Sequence, residues 1–407
     1  MAPSRESATP TVLLLARGQA WPYAVRTALG PGSDGVCHLA ASAEDAVARL
    51  VGPGHPYTHV MVEPALAAGR MADLIGLLFE EPEGGARLVL LGERALGERA
   101  GAPPGVPLVR EPRAAAIAAV LAVGNPASPA SDDRDAGAGA SPPPFTDAEL
   151  RAALARGDVE ARFQPIVRVS DRVPIGLEVL ARLHDPARGT FAPELFVPQA
   201  ERAGLSRQLT SAVMATAFGT LSAALLREHG LFLALNLPLD VLLVPEALAS
   251  LEQQRSGAGF SPSDLLVELT ESRPVSDLPG LQAAVERWRH AGYRLAVDDV
   301  GPDMPHHLAL LGMPFDAMKF AIAVVSDSAR NEEAHAYFGG TAALAKRRGL
   351  MVIAEGVEDQ EDWDRVAALG ADAVQGFMVA RPLPAGAVPV WLRQWGAALG
   401  HGTPGRA

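Results

Sequence analysis

The chain has 407 residues, is 48% apolar and 20% charged, and carries a formal net charge of −12. That length suits two or three domains, the composition excludes a disordered chain, and an acidic balance without a Lys/Arg cluster argues against a nucleic-acid polymer as partner. A single cysteine, Cys37, excludes an internal disulfide; with no signal-peptide core and no apolar run long enough to span a bilayer, a cytoplasmic protein without a membrane span is expected.

In chain order, apolar runs predict strands at Thr11–Ala16, His59–Val62, Arg87–Leu91 and Val106–Val109. Helical patterns lie between and after them, at Pro22–Leu29, Ala43–Leu50, Met71–Phe79 and Ala114–Val123. Residues 1–123 therefore read as a small α/β domain, and their pattern resembles a response-regulator receiver. A receiver needs an acidic pair after its first strand, where this chain has Ala16 and Arg17. It needs an Asp after the third strand, where Glu63 precedes Pro64, and a Lys-Pro after the last, where Arg110, Glu111 and Pro112 stand. Without the acidic pair Mg²⁺ has no seat, so a degenerate receiver that docks a signalling partner or dimerises is expected. Glu63 reads equally as a mimic of a phosphorylated state and as a chance carboxylate at a strand end.

Residues 124–144 (GNPASPASDDRDAGAGASPPP) hold no large apolar side chain and read as a flexible linker. Thr146 or Asp147 then caps a helix running to Arg156. Residues 145–400 match the size of one (β/α)8 barrel, roughly 250 residues. Eight strands are predicted: Phe163–Val169, Val173–Leu177, Leu231–Leu235, Leu265–Val267, Tyr293–Val297, Ala317–Met318, Leu350–Ala354 and Ala373–Val379. Helices between them have readable stops: Leu278–Ala291 ends at Gly292, Glu332–Arg348 at Gly349, and a helix capped by Asp359 ends at Gly370. The last residues, 401–407, read as a disordered tail.

At or just past the ends of these runs stand Glu178, Asn236, Glu268, Asp298 with Asp299, Lys319 and Glu355. If the sheet closes, five carboxylates, an amide and an ammonium meet at one face. Five carboxylates cannot share a small space without neutralisation, and a pair of divalent cations is the simplest neutraliser. The pattern points to metal-assisted hydrolysis.

The motifs FQPIV (Phe163–Val167), GLEVLAR (Gly176–Arg182), LALNLP (Leu233–Pro238), VELTE (Val267–Glu271), LAVDDVG (Leu295–Gly301), MKF (Met318–Phe320), VIAEGVE (Val352–Glu358) and VQGF (Val374–Phe377) resemble, in order, those of EAL domains, the cyclic di-GMP phosphodiesterases. The resemblance covers Leu150 to about Leu383. It implies a modified (β/α)8, TIM-like barrel with one antiparallel strand that hydrolyses cyclic di-GMP to linear pGpG, using two Mg²⁺ or Mn²⁺ ions as cofactors. It implies Glu178, Asn236, Glu268 and Asp298 as ligands of the first metal, and Asp298 with Asp299 as ligands of the second. By the same resemblance Lys319 holds and polarises the attacking water, and Glu355 acts as general base or orienter. Asp299 joins these two in the catalytic set. Gln164 resembles a guanine contact, Arg182 a phosphate contact, Gln375 a group near the metal water and substrate, and Glu271 the anchor of the loop after Asp299. A homodimer is expected on the same ground.

The chain departs from the family at three places. The Glu-Ala-Leu signature is Glu178-Val179-Leu180, and Ala321 stands where an Asp usually follows Lys-Ile. The loop usually written Asp-Phe-Gly-Thr-Gly reads Asp299-Val300-Gly301-Pro302-Asp303-Met304-Pro305-His306, so two prolines and an Asp change its accessible φ values. A catalytically silent barrel that binds cyclic di-GMP and signals to a protein partner is the alternative expectation. Residue by residue, blander readings exist. A lone strand-end Glu is a solvated group, Arg182 and Gln164 serve equally as structural groups, and a Schiff-base role for Lys319 is opposed by the carboxylates around it. His306 and His307 lack a third zinc ligand, and Trp288, Trp363 and Trp395 sit in helical patterns that suit packing.

Overall fold

The computed structural model describes residues 10–17, 20–29, 37–51, 57–67, 70–78, 86–92, 106–122, 145–185, 188–270, 277–302, 304 and 307–399. The expected linker and tail, together with Glu271, Asp303, Pro305 and His306, lie outside the described residues. The chain divides after residue 140 into two compact units, with Gly386–Gln394 belonging to the first.

The first unit holds β1 (Val12–Leu15), β2 (Cys37–Leu39), β3 (His59–Val62), β4 (Arg87–Leu91) and β5 (Leu108–Val109). The strands form one parallel sheet in the order β2-β1-β3-β4-β5, the doubly wound order that receivers share. Burial of the apolar runs explains the strands: all residues of β1 and β3 are buried, as parallel strands covered on both faces require. β2 was not among the expected strands, because three residues, one buried, one half-buried and one exposed, are too few to show a period.

The second unit is an eight-stranded closed barrel with one extra edge strand. Its strands are β6 (Val159–Arg168), β7 (Pro174–Asp185), β8 (Gly189–Phe191), β9 (Phe232–Pro238), β10 (Leu265–Thr270), β11 (Arg294–Val300), β12 (Ala317–Phe320), β13 (Met351–Ala354) and β14 (Ala373–Val374). The order is β6-β14-β13-β12-β11-β10-β9-β7-β8, and a β6–β7 pairing closes it. β6 runs antiparallel to both neighbours, while β7 and β9 to β14 are parallel. Ile166, Phe232, Ala234, Leu266, Ala296, Ala317, Ile353 and Ala373 fill the lower interior as one buried layer. The four alanines leave room for the larger polar side chains in the layer above. β8 pairs with β7 outside the closed barrel.

Helix ends follow the sequence closely. Thr146 and Glu149 form a capping box at Asp147–Arg156, Gly157 ends that helix in the left-handed conformation, and Asp359 and Gly370 bound Gln360–Leu369. Trp288 is buried and donates its indole N–H to Leu242 O at 3.1 Å, and Trp363 is also buried, with Arg172 over its ring, so both pack. Among the described residues no single helix is long and apolar enough to cross a membrane.

Candidate active site

The expected polar residues lie inside the strands more than at their ends. β7 runs to Asp185, eight residues beyond the expected stop at Leu177, because Glu178 pairs across the ladder with Gln164 and the pairing continues to Val159–Leu183. Asn236, Glu268, Asp298, Asp299 and Lys319 likewise fall within β9 to β12, and Glu355 follows β13 directly. A charged side chain does not end a strand whose backbone partners remain in register. β14 is shorter than expected, stopping at Val374 before Gln375.

These residues converge around one ammonium. Lys319 Nζ lies 2.5 Å from Glu355 Oε1, 3.1 Å from Glu268 Oε2, 3.3 Å from Glu178 Oε2 and 3.3 Å from Asp298 Oδ1. Lys319 and Glu268 are fully buried. Burial alone would lower the Lys319 pKa, but the four carboxylates outweigh it and hold the ammonium well above its ordinary value. That state opposes a Schiff-base role, as expected from the sequence. Burial pushes Glu355 up to about 8 and Asp298 up to about 6, against the pull of Lys319. It pushes Glu268 up as well. Glu178 moves the other way. Burial raises it, but Lys319 and the donated hydrogen bonds of Gln375 and Asn236 leave it lowered and ionised.

The amides order the carboxylates. Asn236 Nδ2 donates to Glu178 Oε1 at 2.7 Å, and Gln375 Nε2 donates to Glu178 Oε2 at 2.5 Å and to Gln164 Oε1 at 2.9 Å. Gln164 Nε2 donates to Ala380 O at 3.1 Å, so Gln164 aims Gln375 at Glu178. Gln375 is positioned by a close backbone approach at the next residue. A Cβ on Gly376 would sit 2.2 Å from Val357 O and 2.3 Å from Val357 N. Gly376→Ala should therefore cost about 2 kcal/mol or more, since backbone cannot give way as a side chain can. Urea unfolding checks this, and an unchanged midpoint would count against the packing described.

Asp298 and Asp299 diverge because β11 bulges. The register with β12 shifts between Val297 and Val300, and Asp299 takes φ 52°, a left-handed conformation that Asp tolerates better than most residues. Asp298 is buried and Asp299 exposed, yet one oxygen of each and one of Glu355 lie within 4.8 Å of one another. Three buried acceptor atoms here have no hydrogen-bond partner: Glu268 Oε1, Asp298 Oδ1 and Gln375 Oε1. Asp298 Oδ1 is within ion-pair distance of Lys319 but out of hydrogen-bonding alignment. Unsatisfied buried oxygens beside a cluster of carboxylates fit a hard divalent cation, which takes oxygen ligands.

The charge balance gives a pH dependence. Glu355 titrates about 8 in the fold and near 4.5 ordinarily, so its contribution to stability is fully present below about pH 4.5 and is lost as pH rises toward 8. Mn²⁺ should offset that loss by binding the ionised form. The rise in thermal midpoint on adding Mn²⁺ should be larger at pH 8.5 than at pH 5.5, and equal shifts would contradict the assignment.

Arg182 is buried and donates from Nη1 to Ala181 O at 2.9 Å. A second buried arginine, Arg162, was not singled out from the sequence. Its signal was the spacing Glu160, Arg162, Gln164, polar residues at period two in an apolar strand.

The comparisons with known proteins agree with this geometry. Residues 147–382 match the EAL domain family. The cyclic di-GMP phosphodiesterase NbdA of Pseudomonas aeruginosa is 31% identical over 252 residues, 61% of this chain and 32% of NbdA. The bifunctional diguanylate cyclase/cyclic di-GMP phosphodiesterase MucR of the same organism is 28% identical over 241 residues, 58% of this chain and 35% of MucR. The solved structure of the PaMucR phosphodiesterase in complex with cyclic di-GMP superposes with a TM-score of 0.55 and 27% identity, covering 59% of this chain and 98% of that one. This chain spans about a third of the length of the curated relatives it matches first. With the matched family segment covering more than half of the 407 residues, the chain belongs to the EAL domain family.

Proposed function

We propose that the barrel is a metal-dependent phosphodiesterase that hydrolyses cyclic di-GMP to linear pGpG. The observation that carries this reading is the Lys319 ammonium among Glu178, Glu268, Asp298 and Glu355, beside the converging oxygens of Asp298, Asp299 and Glu355. Glu178, Asn236, Glu268, Asp298 and Asp299 would hold two divalent cations, Mg²⁺ or Mn²⁺. When bound, such ions neutralise the phosphodiester and lower the pKa of a nucleophilic water. Lys319 holds the carboxylates in one constellation and offers its ammonium to the attacking water. Glu355, with its raised pKa, suits proton acceptance near neutral pH. Arg182 offers a bidentate fork to non-bridging phosphate oxygens, and Gln164 and Gln375 line the substrate side. Glu271 is the proposed anchor of the loop after Asp299.

The domain division we propose is a degenerate receiver at 1–123, a linker at 124–144, the barrel at 145–400 and a tail at 401–407. In the first domain Glu63, just past β3, accepts the backbone N–H of Arg17 at 2.9 Å. That contact ties the ends of β1 and β3 together at the switch point of the sheet, where a receiver keeps its acidic pocket. It supports a domain that docks a signalling partner or a second copy rather than one that transfers phosphoryl groups. A cytoplasmic homodimer completes the proposal.

Ala321, in place of the family's Asp, favours a second reading: a receptor that binds cyclic di-GMP without cleaving it. Calorimetry in Ca²⁺ and product analysis in Mn²⁺ separate the two. Binding with release of pGpG supports the hydrolase, binding alone supports the receptor, and neither would overturn both.

A further inference from the structure

The buried Lys and Arg side chains among the described residues are Arg162, Arg182 and Lys319. All three face the same side of the barrel wall. In the β6–β7 ladder Gln164 pairs with Glu178, Arg162 with Leu180, and Glu160 with Arg182, with no register shift among them. Cross-strand partners share a face. Gln375 touches both Gln164 and Glu178, so that face is the one toward the carboxylates. The opposite face carries Val159 and Leu183, buried in a separate apolar cluster with Phe145, Phe196 and Leu209.

β9 pairs with β7 only from Gly176 to Val179. Beyond that point the β6–β7 ribbon continues past the barrel rim, at the end where the parallel strands finish. Each residue adds about 3.3 Å, so Arg162 stands about 7 Å along the strand from Gln164 and Arg182 about 13 Å from Glu178. Along the ribbon, Arg162 thus leaves the backbone nearer the acidic centre than Arg182 does. Its Nη1 is 2.9 Å from Glu160 Oε2, and the Glu160 side chain is 41% exposed.

A cyclic dinucleotide carries two phosphodiesters. With one at the acidic cluster, the other is a second anion that a cation on the wall beside it would pair with. We infer that Arg162 binds the phosphodiester that is not cleaved, working alongside Arg182, and that Glu160 is the counter-ion it leaves when substrate arrives. This inference rests on reading the barrel as a cyclic di-GMP site. Ion pairing to a phosphate suits a planar fork that is already held by strand packing.

The test is calorimetry of the full chain with cyclic di-GMP in Ca²⁺, paired with Mn²⁺ titration in the absence of nucleotide. Arg162→Ala and Arg162→Gln should weaken nucleotide binding roughly ten- to a hundredfold, with Arg162→Lys intermediate and Mn²⁺ binding unchanged. Glu160→Gln, a change at a partly exposed side chain, should tighten nucleotide binding by removing the competing anion. A purely structural Arg162 would not produce that gain. If the parent binds and both Arg162 variants match it, or if Glu160→Gln weakens binding, this inference is overturned while the phosphodiesterase reading stands. If the parent shows no binding, both fall.

Discussion

Lys319→Met should lower the thermal midpoint of the metal-free protein by on the order of 10 °C and reduce turnover by at least about a thousandfold. The side chains are similar in length, so packing is largely kept and charge is what changes. The substitution leaves Glu178, Glu268, Asp298 and Glu355 without their shared cation. Removing one partner of a buried ion pair costs about 3–5 kcal/mol, and each kcal/mol moves the midpoint of a domain this size by about 2–4 °C. The deficit should shrink at lower pH, where protonation removes the repulsion, and with Mn²⁺, which replaces the lost charge. Differential scanning calorimetry across pH and Mn²⁺ checks all three. A midpoint within about 2 °C of the parent at every pH would show that Lys319 is not the neutraliser.

Glu178→Ala should abolish turnover, by more than about a thousandfold, with a much smaller effect on folding. The same carboxylate touches Lys319, Asn236 and Gln375, so its loss breaks the hydrogen-bonded chain that runs from Gln164 to Asn236. Two effects on stability oppose each other. Lys319 loses one partner, but an acidic cluster in excess of its cation loses one anion. The metal-free midpoint should therefore move by only a few degrees while Mn²⁺ affinity falls steeply. Glu178→Gln separates shape from charge, because it keeps the hydrogen-bonding outline and still removes the anionic ligand. Turnover in either variant comparable to the parent would remove Glu178 from the site.

The barrel was legible because polar residues stand at or just past successive apolar runs, in a segment of barrel size whose motifs resemble, in order, those of one family. Strand limits were less so. Where β7 ends depends on a partner strand 14 residues away in sequence, Gln164 against Glu178, which no local pattern encodes. The bulge that turns Asp299 outward and keeps Asp298 inward depends on the register against β12. The bond between Gln375 and Glu178 spans 197 residues and required the closed barrel to appear. Lys319 was expected among carboxylates that keep it protonated; which four it touches, and at what distance, depends on the closed barrel. In the first unit the alternation of strands and helices was readable, while β2 was too short to signal itself.

Metal binding at this mouth can be measured directly by titrating the metal-free protein with Mn²⁺ and following heat and pGpG release in the same samples. The expected result is saturable uptake of two ions per chain, lost on replacing Glu178 or Asp298, with cyclic di-GMP cleavage rising as the sites fill. No saturable uptake, or cleavage that proceeds equally in excess chelator, would contradict metal-assisted hydrolysis at Lys319 and its carboxylates.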